Sequence, residues 1–274
     1  MMITAKTKIY GVVGNPVRHS LSPLIHNHWL AEADIDAVYT AFELNSEGPV
    51  EDLKSLNRFG VAGLNVTVPY KHAAMSAATM SEEVMIVGAA NTLSSTGAGW
   101  KADNTDTIGF ILALRHAVEE QDLTGANVTL IGAGGAARAA VFALGAMGVN
   151  LTIANRTPEK AVELADSLNP DAQAIGLEEL GSALEVCDIA INATSAGHGD
   201  TGALELPEGK GRLFMDLSYG HAAAANLSAA QAQTWKTEDG LRMLVEQARR
   251  SFEIWHDISP DPEPVLIKCR EAIA

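Results

Sequence analysis

The chain has 274 residues, 47% hydrophobic and 19% charged, which is long for a single core and favours two domains. Its 19 basic against 34 acidic residues, a formal net charge of −15, argue against nucleic-acid binding, because a duplex binder needs a cationic face to displace counterions. No apolar run reaches the roughly 18–20 residues of a membrane span, and the opening MMITAKTKIYGVVGNP lacks a signal-peptide core, so a cytoplasmic protein without a membrane partner is expected.

In chain order, KIYGVVG reads as a strand, SPLIHNHWLAEAD as a helix opened by Ser-Pro, and AVYTAFEL as a second strand. Ser20 and Ser22 precede or open that helix. If both are extended, their hydroxyls point the same way and could clamp a carboxylate beside a helix N-terminus; equally, Ser22 could simply cap the helix. His19, His26 and His28 crowd the same stretch, but i,i+2 spacing diverges on a helix and no cysteine or carboxylate cluster joins them, so packing is expected rather than a metal.

GLNVTVPYK, residues 63–71, alternates as a half-buried strand, with Leu64, Val66 and Val68 on one face and Asn65 and Thr67 on the other. Two readings stand. Either the polar face and Lys71 are solvated at a sheet edge, or they meet at the carboxyl end of a strand, where α/β sheets bind ligands. GAANTL and DNTDTIG repeat the theme: Asn91 is polar in an apolar run, and Asp106 opens a long helix at the expected inter-domain cleft. A lysine and an aspartate sharing a cleft can serve as a proton-transfer pair.

From Asn127 the pattern is βαβ repeated: NVTLIG, an alanine-rich helix ending before Gly148, NLTIAN, a helix with Thr157 and Pro158 at its start, then CDIAIN and LFMDLSY. Gly132, Gly134 and Ala137 satisfy G-x-G-x-x-G/A between a strand and a helix, the context a dinucleotide pyrophosphate needs. The second strand ends in Asn155, Arg156 and Thr157, with Lys160 one turn on and no carboxylate at its tip; an arginine fork suits a 2′-phosphate, so NADP is expected over NAD. Cys187, in an apolar run, and Cys269, in the last helical stretch, read as apolar fillers. The whole is an α/β chain of two domains, the second a Rossmann unit.

Taken together, GNPVRHSLSPLIHN, GLNVTVPYK, GAANTL, DNTD, GAGGAAR, NRT, NATSAG and DGLRMLVEQARRSFEIW make the chain resemble the shikimate dehydrogenase family nearly end to end. The resemblance implies NADP-dependent reduction of 3-dehydroshikimate to shikimate, on the chorismate route to aromatic amino acids. It implies that Lys71 and Asp106 are catalytic, that Ser20 and Ser22 hold the substrate carboxylate, and that Asn65, Thr67, Asn91, Tyr219 and Gln247 complete the substrate site. It implies cofactor contacts from Gly132, Ala133, Gly134, Gly135 and Ala136 to the pyrophosphate, and from Asn155, Arg156, Thr157 and Lys160 to the 2′-phosphate and adenine. Thr194, Ser195, Leu217, Gly240 and Met243 would lie near the ribose and nicotinamide. Residues 1–105 with 241–274 would form the substrate-binding and catalytic domain, the last helices returning to it, and 106–240 the Rossmann NADP-binding domain. No metal is implied, and either a monomer or a homodimer fits.

Three departures stand out: GHAAAANLSAA after Tyr219, Arg242 where the family commonly has glycine, and Lys160 where arginine is frequent. Two rivals follow, a quinate or shikimate dehydrogenase of oxidative metabolism and a non-catalytic NADP-binding sensor. The first usually carries a carboxylate after the second strand, where this chain has Arg156; the second expects eroded catalytic positions, yet Lys71 and Asp106 are present. Glutamyl-tRNA reductase shares the glycine loop but requires a cysteine near the N-terminus, and none precedes Cys187.

Overall fold

The computed structural model describes residues 3–45, 47–199 and 201–273. The chain forms two compact units: Met1–Asp106 with Leu244–Glu271, and Thr107–Met243 with Ala272–Ala274.

The first unit contains β1 (Lys8–Gly14), α1 (Ser22–Glu32), β2 (Ala37–Glu43), α2 (Pro49–Arg58), β3 (Val61–Val66), α3 (Lys71–Ser76), β4 (Ala78–Met80), α4 (Glu82–Val87), β5 (Thr92–Ser95) and β6 (Trp100–Asp103). Its sheet runs β2-β1-β3-β5-β6-β4. β1 pairs in parallel with both β2 and β3, whereas β5 is antiparallel to β3 and β6. The sheet is therefore mixed, parallel at β2-β1-β3 and between β4 and β6 and antiparallel around β5. Leu64, Val66, Leu93 and Trp100 anchor one of its buried clusters.

The alternation read over residues 63–71 overshoots. β3 stops at Val66, Thr67 lies past its end, and Val68 is 63% exposed rather than buried. Thr67 instead opens a turn in which its carbonyl accepts from the Tyr70 amide, and Lys71 is the first residue of α3. The helix at Ser22 also differs from expectation. Leu21 occupies the cap position, and Ser22 is already helical, with no side-chain cap bond. Ser20 and Ser22 are thus not a pair on one extended strand. The Ser22 amide instead donates to Ser20 Oγ at 3.2 Å.

α5 (Asp106–Ala117) starts on the last residue of the first unit. The second unit continues with β7 (Asn127–Ile131), α6 (Gly135–Ala146), β8 (Asn150–Ala154), α7 (Pro158–Leu168), β9 (Gln173–Ile175), a 3₁₀ turn at Leu177–Glu179, α8 (Leu180–Val186), β10 (Ile189–Asn192), β11 (Leu213–Asp216), α9 (His221–Ala232) and β12 (Lys236–Glu238). Its sheet runs β12-β11-β10-β7-β8-β9 with every pairing parallel. Numbered within the unit this is 3-2-1-4-5-6, the doubly wound dinucleotide-binding order, with the switch point between β7 and β10. Apolar residues on both faces of the strands bury completely, Leu130, Ile153 and Ile191 on one face and Ala154, Ala190 and Phe214 on the other, as a two-sided parallel sheet demands. α10 (Leu241–His256) and α11 (Glu263–Ile273) complete the chain, and Leu244–Glu271 packs with the first unit.

The segment GHAAAANLSAA, unusual for the family, supplies α9, entered through Gly220 at φ +59°. Within it Asn226 is fully buried. Its amide donates to the Ala196 carbonyl at 2.7 Å and to Asp216 Oδ2 at 2.8 Å, and its oxygen accepts from the Leu204 amide at 3.0 Å. One side chain thereby ties the loop after β10 to the end of β11. Thr157 stands at the cap of α7 but makes no side-chain cap bond. No helix among the described residues is long and apolar enough to cross a membrane.

Candidate active site

Lys71 and Asp106 each open a helix in the first unit, and their side chains meet. The Lys71 ammonium donates to Asp106 Oδ2, with the two side chains only 16% and 9% exposed. Local structure sets the aspartate. Asn104 Oδ1 accepts from the Asp106 amide at 2.9 Å, and Asn104 Nδ2 is held by the Ala89 carbonyl at 2.8 Å. At the first position of α5 the carboxylate also faces the positive end of the helix dipole. Its other oxygen accepts from Asn91 Nδ2 at 3.0 Å.

Asn91 is the centre of a buried polar cluster. Its amide also faces Thr105 Oγ1 at 2.9 Å and Gln247 Oε1 at 3.2 Å, while its oxygen accepts from the Thr105 amide at 2.7 Å. Gln247 is oriented by donation from its Nε2 to the Leu244 carbonyl at 2.7 Å. Polar groups buried this way are stable only when paired, and here they are.

A second group converges on Asn65. Tyr39 donates its hydroxyl to Asn65 Oδ1 at 2.8 Å and also hydrogen-bonds the Ser22 side chain. Burial raises the Tyr39 phenol well above its ordinary value, so it remains a neutral donor. Asn27 ties α1 to β2 through both the amide and the carbonyl of Tyr39, at 3.0 and 2.8 Å. His26 stacks on the Tyr39 ring with centroids 4.2 Å apart. Neither of its ring nitrogens meets a partner at bonding geometry. Burial, then the charge of His256, lowers its pKa to about 3, an effect the nearby Asn65 side chain offsets only slightly. Ser20, Ser22 and Thr67 follow β1 and β3, the two adjacent strands from which the chain departs in opposite directions across the sheet, which is a switch point of the ligand-binding kind. The close approach is direct: a Cβ on Gly14 at the end of β1 would lie 2.4 Å from Thr67 Cγ2.

In the second unit the glycine loop sits at the β7/β10 switch point. Gly132 has φ +115°, and a Cβ there would lie 2.9 Å from Thr194 Cγ2 and 3.0 Å from the Ala193 carbonyl oxygen. Gly134 caps α6 without any side-chain bond, and a Cβ added to it would meet nothing within 4 Å. No side chain caps the start of α6 and the space beside Gly134 is open, which fits a pyrophosphate at the helix N-terminus. At the tip of β8, Asn155 Nδ2 donates to the Thr157 carbonyl at 2.9 Å, while Arg156, Thr157 and Lys160 are exposed. Among the described residues no ion pair engages Arg156 or Lys160, so both cations are available to an anion.

The remaining expected residues are placed as follows. Thr194 donates to Asn192 Oδ1 at 2.7 Å, and Ser195 is exposed in the turn after β10. Leu217 follows β11, and its carbonyl oxygen would lie 2.1 Å from a Cβ on Gly240, so only glycine fits there. Met243 belongs chiefly to the apolar core, 7% exposed. Tyr219 is half-buried just before α9, and Arg242 is buried at 8% exposure. Cys187 and Cys269 are free and buried, and burial raises both thiols, Cys269 to about 11. No group of three or more His, Cys, Asp or Glu able to hold a metal occurs among the described residues. Reading the sequence missed Tyr39, Thr92, Thr105 and Ser251, all part of the buried network.

The chain matches three family models: the shikimate dehydrogenase substrate binding domain over residues 12–93, shikimate / quinate 5-dehydrogenase over 114–233, and the shikimate 5′-dehydrogenase C-terminal domain over 240–266. It is 46% identical over 268 residues to the NADP(+) shikimate dehydrogenase of Hyphomonas neptunium, covering 97% of this chain and 98% of that one. Among solved structures, shikimate dehydrogenase from Aquifex aeolicus superposes with a TM-score of 0.88 at 31% identity, covering 97% and 98% of the two chains. The Thermus thermophilus shikimate 5-dehydrogenase, solved in complex with NADP(H) and shikimate, gives 0.81 at 31% identity, covering 97% and 99%. Fold order, the paired lysine and aspartate, the glycine loop and these matches agree along the chain, which belongs to the shikimate dehydrogenase family.

Proposed function

We propose that this protein catalyses the reversible NADP-dependent reduction of 3-dehydroshikimate to shikimate, in the biosynthesis of chorismate and the aromatic amino acids. The observation that carries the proposal is the buried Lys71–Asp106 pair, locked by Asn91 into the same hydrogen-bonded cluster as Gln247. NADPH, when bound, supplies the hydride to the ketone carbon. Lys71 donates a proton from its ammonium to the developing alkoxide and is left as a neutral amine, to be reprotonated from solvent. Asp106 orients the ammonium by accepting its hydrogen bond. In the oxidising direction the amine form of Lys71 takes the hydroxyl proton.

Ser20 and Ser22 hold the substrate carboxylate, Asn65, Thr67, Asn91 and Gln247 bind the ring hydroxyls or the carboxylate side, and Tyr219 lines the substrate site. Asn65 can do so only as an acceptor, because its N–H groups already face Ser251, Thr92 and the Asn91 carbonyl. Gly132 to Ala136 receive the pyrophosphate, and Asn155, Arg156, Thr157 and Lys160 receive the 2′-phosphate and adenine. Thr194, Ser195, Leu217, Gly240 and Met243 border the ribose and nicotinamide. Residues 1–105 with 241–274 act as the substrate-binding and catalytic domain and 106–240 as the NADP-binding domain. The enzyme works in the cytoplasm as a monomer or homodimer.

Nicotinamide absorbance, followed with shikimate and with quinate and with NADP and NAD in turn, tests the assignment. Turnover dominated by shikimate with NADP supports it. Preference for quinate with NAD makes it an oxidative paralogue, and no turnover with cofactor bound makes it a sensor.

A further inference from the structure

Ser251 lies on α10, one turn beyond Gln247 and on the same helix face, and is completely buried. Its hydroxyl is a hub. It donates to the Gln247 carbonyl at 3.0 Å and accepts from Asn65 Nδ2 at 2.9 Å, with Thr92 Oγ1 at 2.9 Å and Thr105 Oγ1 at 3.2 Å. The Asn65 amide can face only one way. The Asn91 carbonyl, 3.3 Å from Nδ2, can only accept, so that atom must be the nitrogen, and Tyr39 must then donate to Oδ1. Of the acceptors facing the Asn65 amide nitrogen, Ser251 Oγ is the nearest; the other two stand at 3.3 Å. Thr92 and Thr105, which also contact Asn91, share the same oxygen.

We infer that Ser251 is a positioning residue for substrate binding. Its hydroxyl pins the Asn65 amide so that one lone pair of Oδ1 stays free for a substrate hydroxyl. The inference rests on the proposed substrate role of Asn65. Without the Ser251 oxygen, a buried Asn65 N–H loses its shortest bond, and the amide, still kept the same way round by the Asn91 carbonyl, is held loosely, so that Oδ1 is no longer fixed toward the substrate hydroxyl.

The test is steady-state kinetics of Ser251→Ala, Asn65→Ala and the double variant, with shikimate affinity also measured directly by calorimetry. Ser251→Ala is expected to raise the KM and Kd for shikimate about tenfold while kcat and the KM for NADP stay within about threefold. In the Asn65→Ala background the same substitution should cost less than about twofold, because the group it acts through is gone. A purely structural role would lower the active fraction and the melting temperature without moving KM, and would overturn the inference. So would an undiminished loss in the double variant. If Ser251→Ala does not fold, Ser251→Cys keeps the packing with a poor hydrogen-bonding sulfur and is expected to show the same KM shift; an unchanged KM there overturns the inference. An unchanged KM in Asn65→Ala refutes the substrate role of Asn65 itself, whereas a raised KM there with an unchanged one in Ser251→Ala refutes only the positioning role.

Discussion

Replacing Lys71 with methionine keeps an unbranched side chain of similar length and removes only the ammonium. Asp106 is not stranded, since Asn91 Nδ2 still donates to it at 3.0 Å and α5 begins on the residue itself. The fold should therefore survive, and the loss should appear in chemistry. Every other side chain of the cluster, Asn65, Asn91, Thr92, Thr105, Gln247 and Ser251, is a neutral amide or hydroxyl. None can act as an acid at neutral pH in place of the ammonium. The full general-acid contribution is then forfeited, about 10²–10⁴ in kcat, or roughly 2.7–5.4 kcal/mol at 1.36 kcal/mol per decade. Shikimate binding, carried by several other groups, should weaken less than about tenfold. The assay pairs initial rates of nicotinamide absorbance with calorimetric titration of shikimate. A variant that keeps kcat within about threefold of the parent while KM rises would show that Lys71 only binds substrate, and the proton-donor role would be lost.

Arg156→Ala should weaken NADPH by roughly 10–100-fold, the worth of a charge-assisted contact to phosphate, and leave NADH nearly unchanged; equal losses for both cofactors would place the 2′-phosphate elsewhere. Gly132→Ala forces a Cβ to within 3.0 Å of the Ala193 oxygen at a positive φ and should lower stability by about 1–3 kcal/mol in urea denaturation. Gly134→Ala meets no protein atom within 4 Å, so it should melt like the parent yet raise the KM for NADPH; a normal KM would remove the pyrophosphate from that spot. His26, neutral in the fold because its pKa falls from 6.5 to about 3, binds a proton more readily when unfolded. Its contribution is therefore fully present above pH 6.5 and is lost as pH falls toward 3, amounting to about 2 kcal/mol by pH 5. Urea midpoints of His26→Phe should be less steep in pH than those of the parent over that window, and identical slopes would count against the burial argument.

The βαβ order and the glycine loop were legible because the signal is local. A strand, a glycine turn and a helix follow one another between Asn127 and Ala146, and each is written in neighbouring residues. Strand ends were not so legible. The period-two pattern around Asn65 runs on to Val68, and main-chain bonds to the β1 side reach that far, from the Thr67 amide to the Val13 carbonyl and from the Asn15 amide to the Val68 carbonyl, but the regular strand ends at Val66. Past that point the chain enters the turn closed by the Tyr70 amide on the Thr67 carbonyl, and the Val68 side chain turns to solvent. Ser22 shows the opposite failure: the residue before a proline leans toward extended geometry, yet the helix begins on it.

The candidate site divides along the same line. Lys71 and Asp106 could be read as a pair because one follows the end of a polar-faced strand and the other opens a helix, each beside a recognisable polar run. The groups that hold the pair could not, since their contacts are distant in sequence. Asn65 meets Tyr39 at a separation of 26 residues and Ser251 at 186. Nothing near Ser251 marks it: it sits in an amphipathic helix among arginines, where a serine ordinarily faces water or bonds its own backbone. Burial is what changes its meaning. An unpaired hydroxyl or amide in that interior costs about 1–3 kcal/mol, so each polar residue placed there must find a partner, and only the fold decides which one. Chemistry in this chain is therefore read from the residues that act, and its geometry from residues that become informative only once the last helices pack against the first strands.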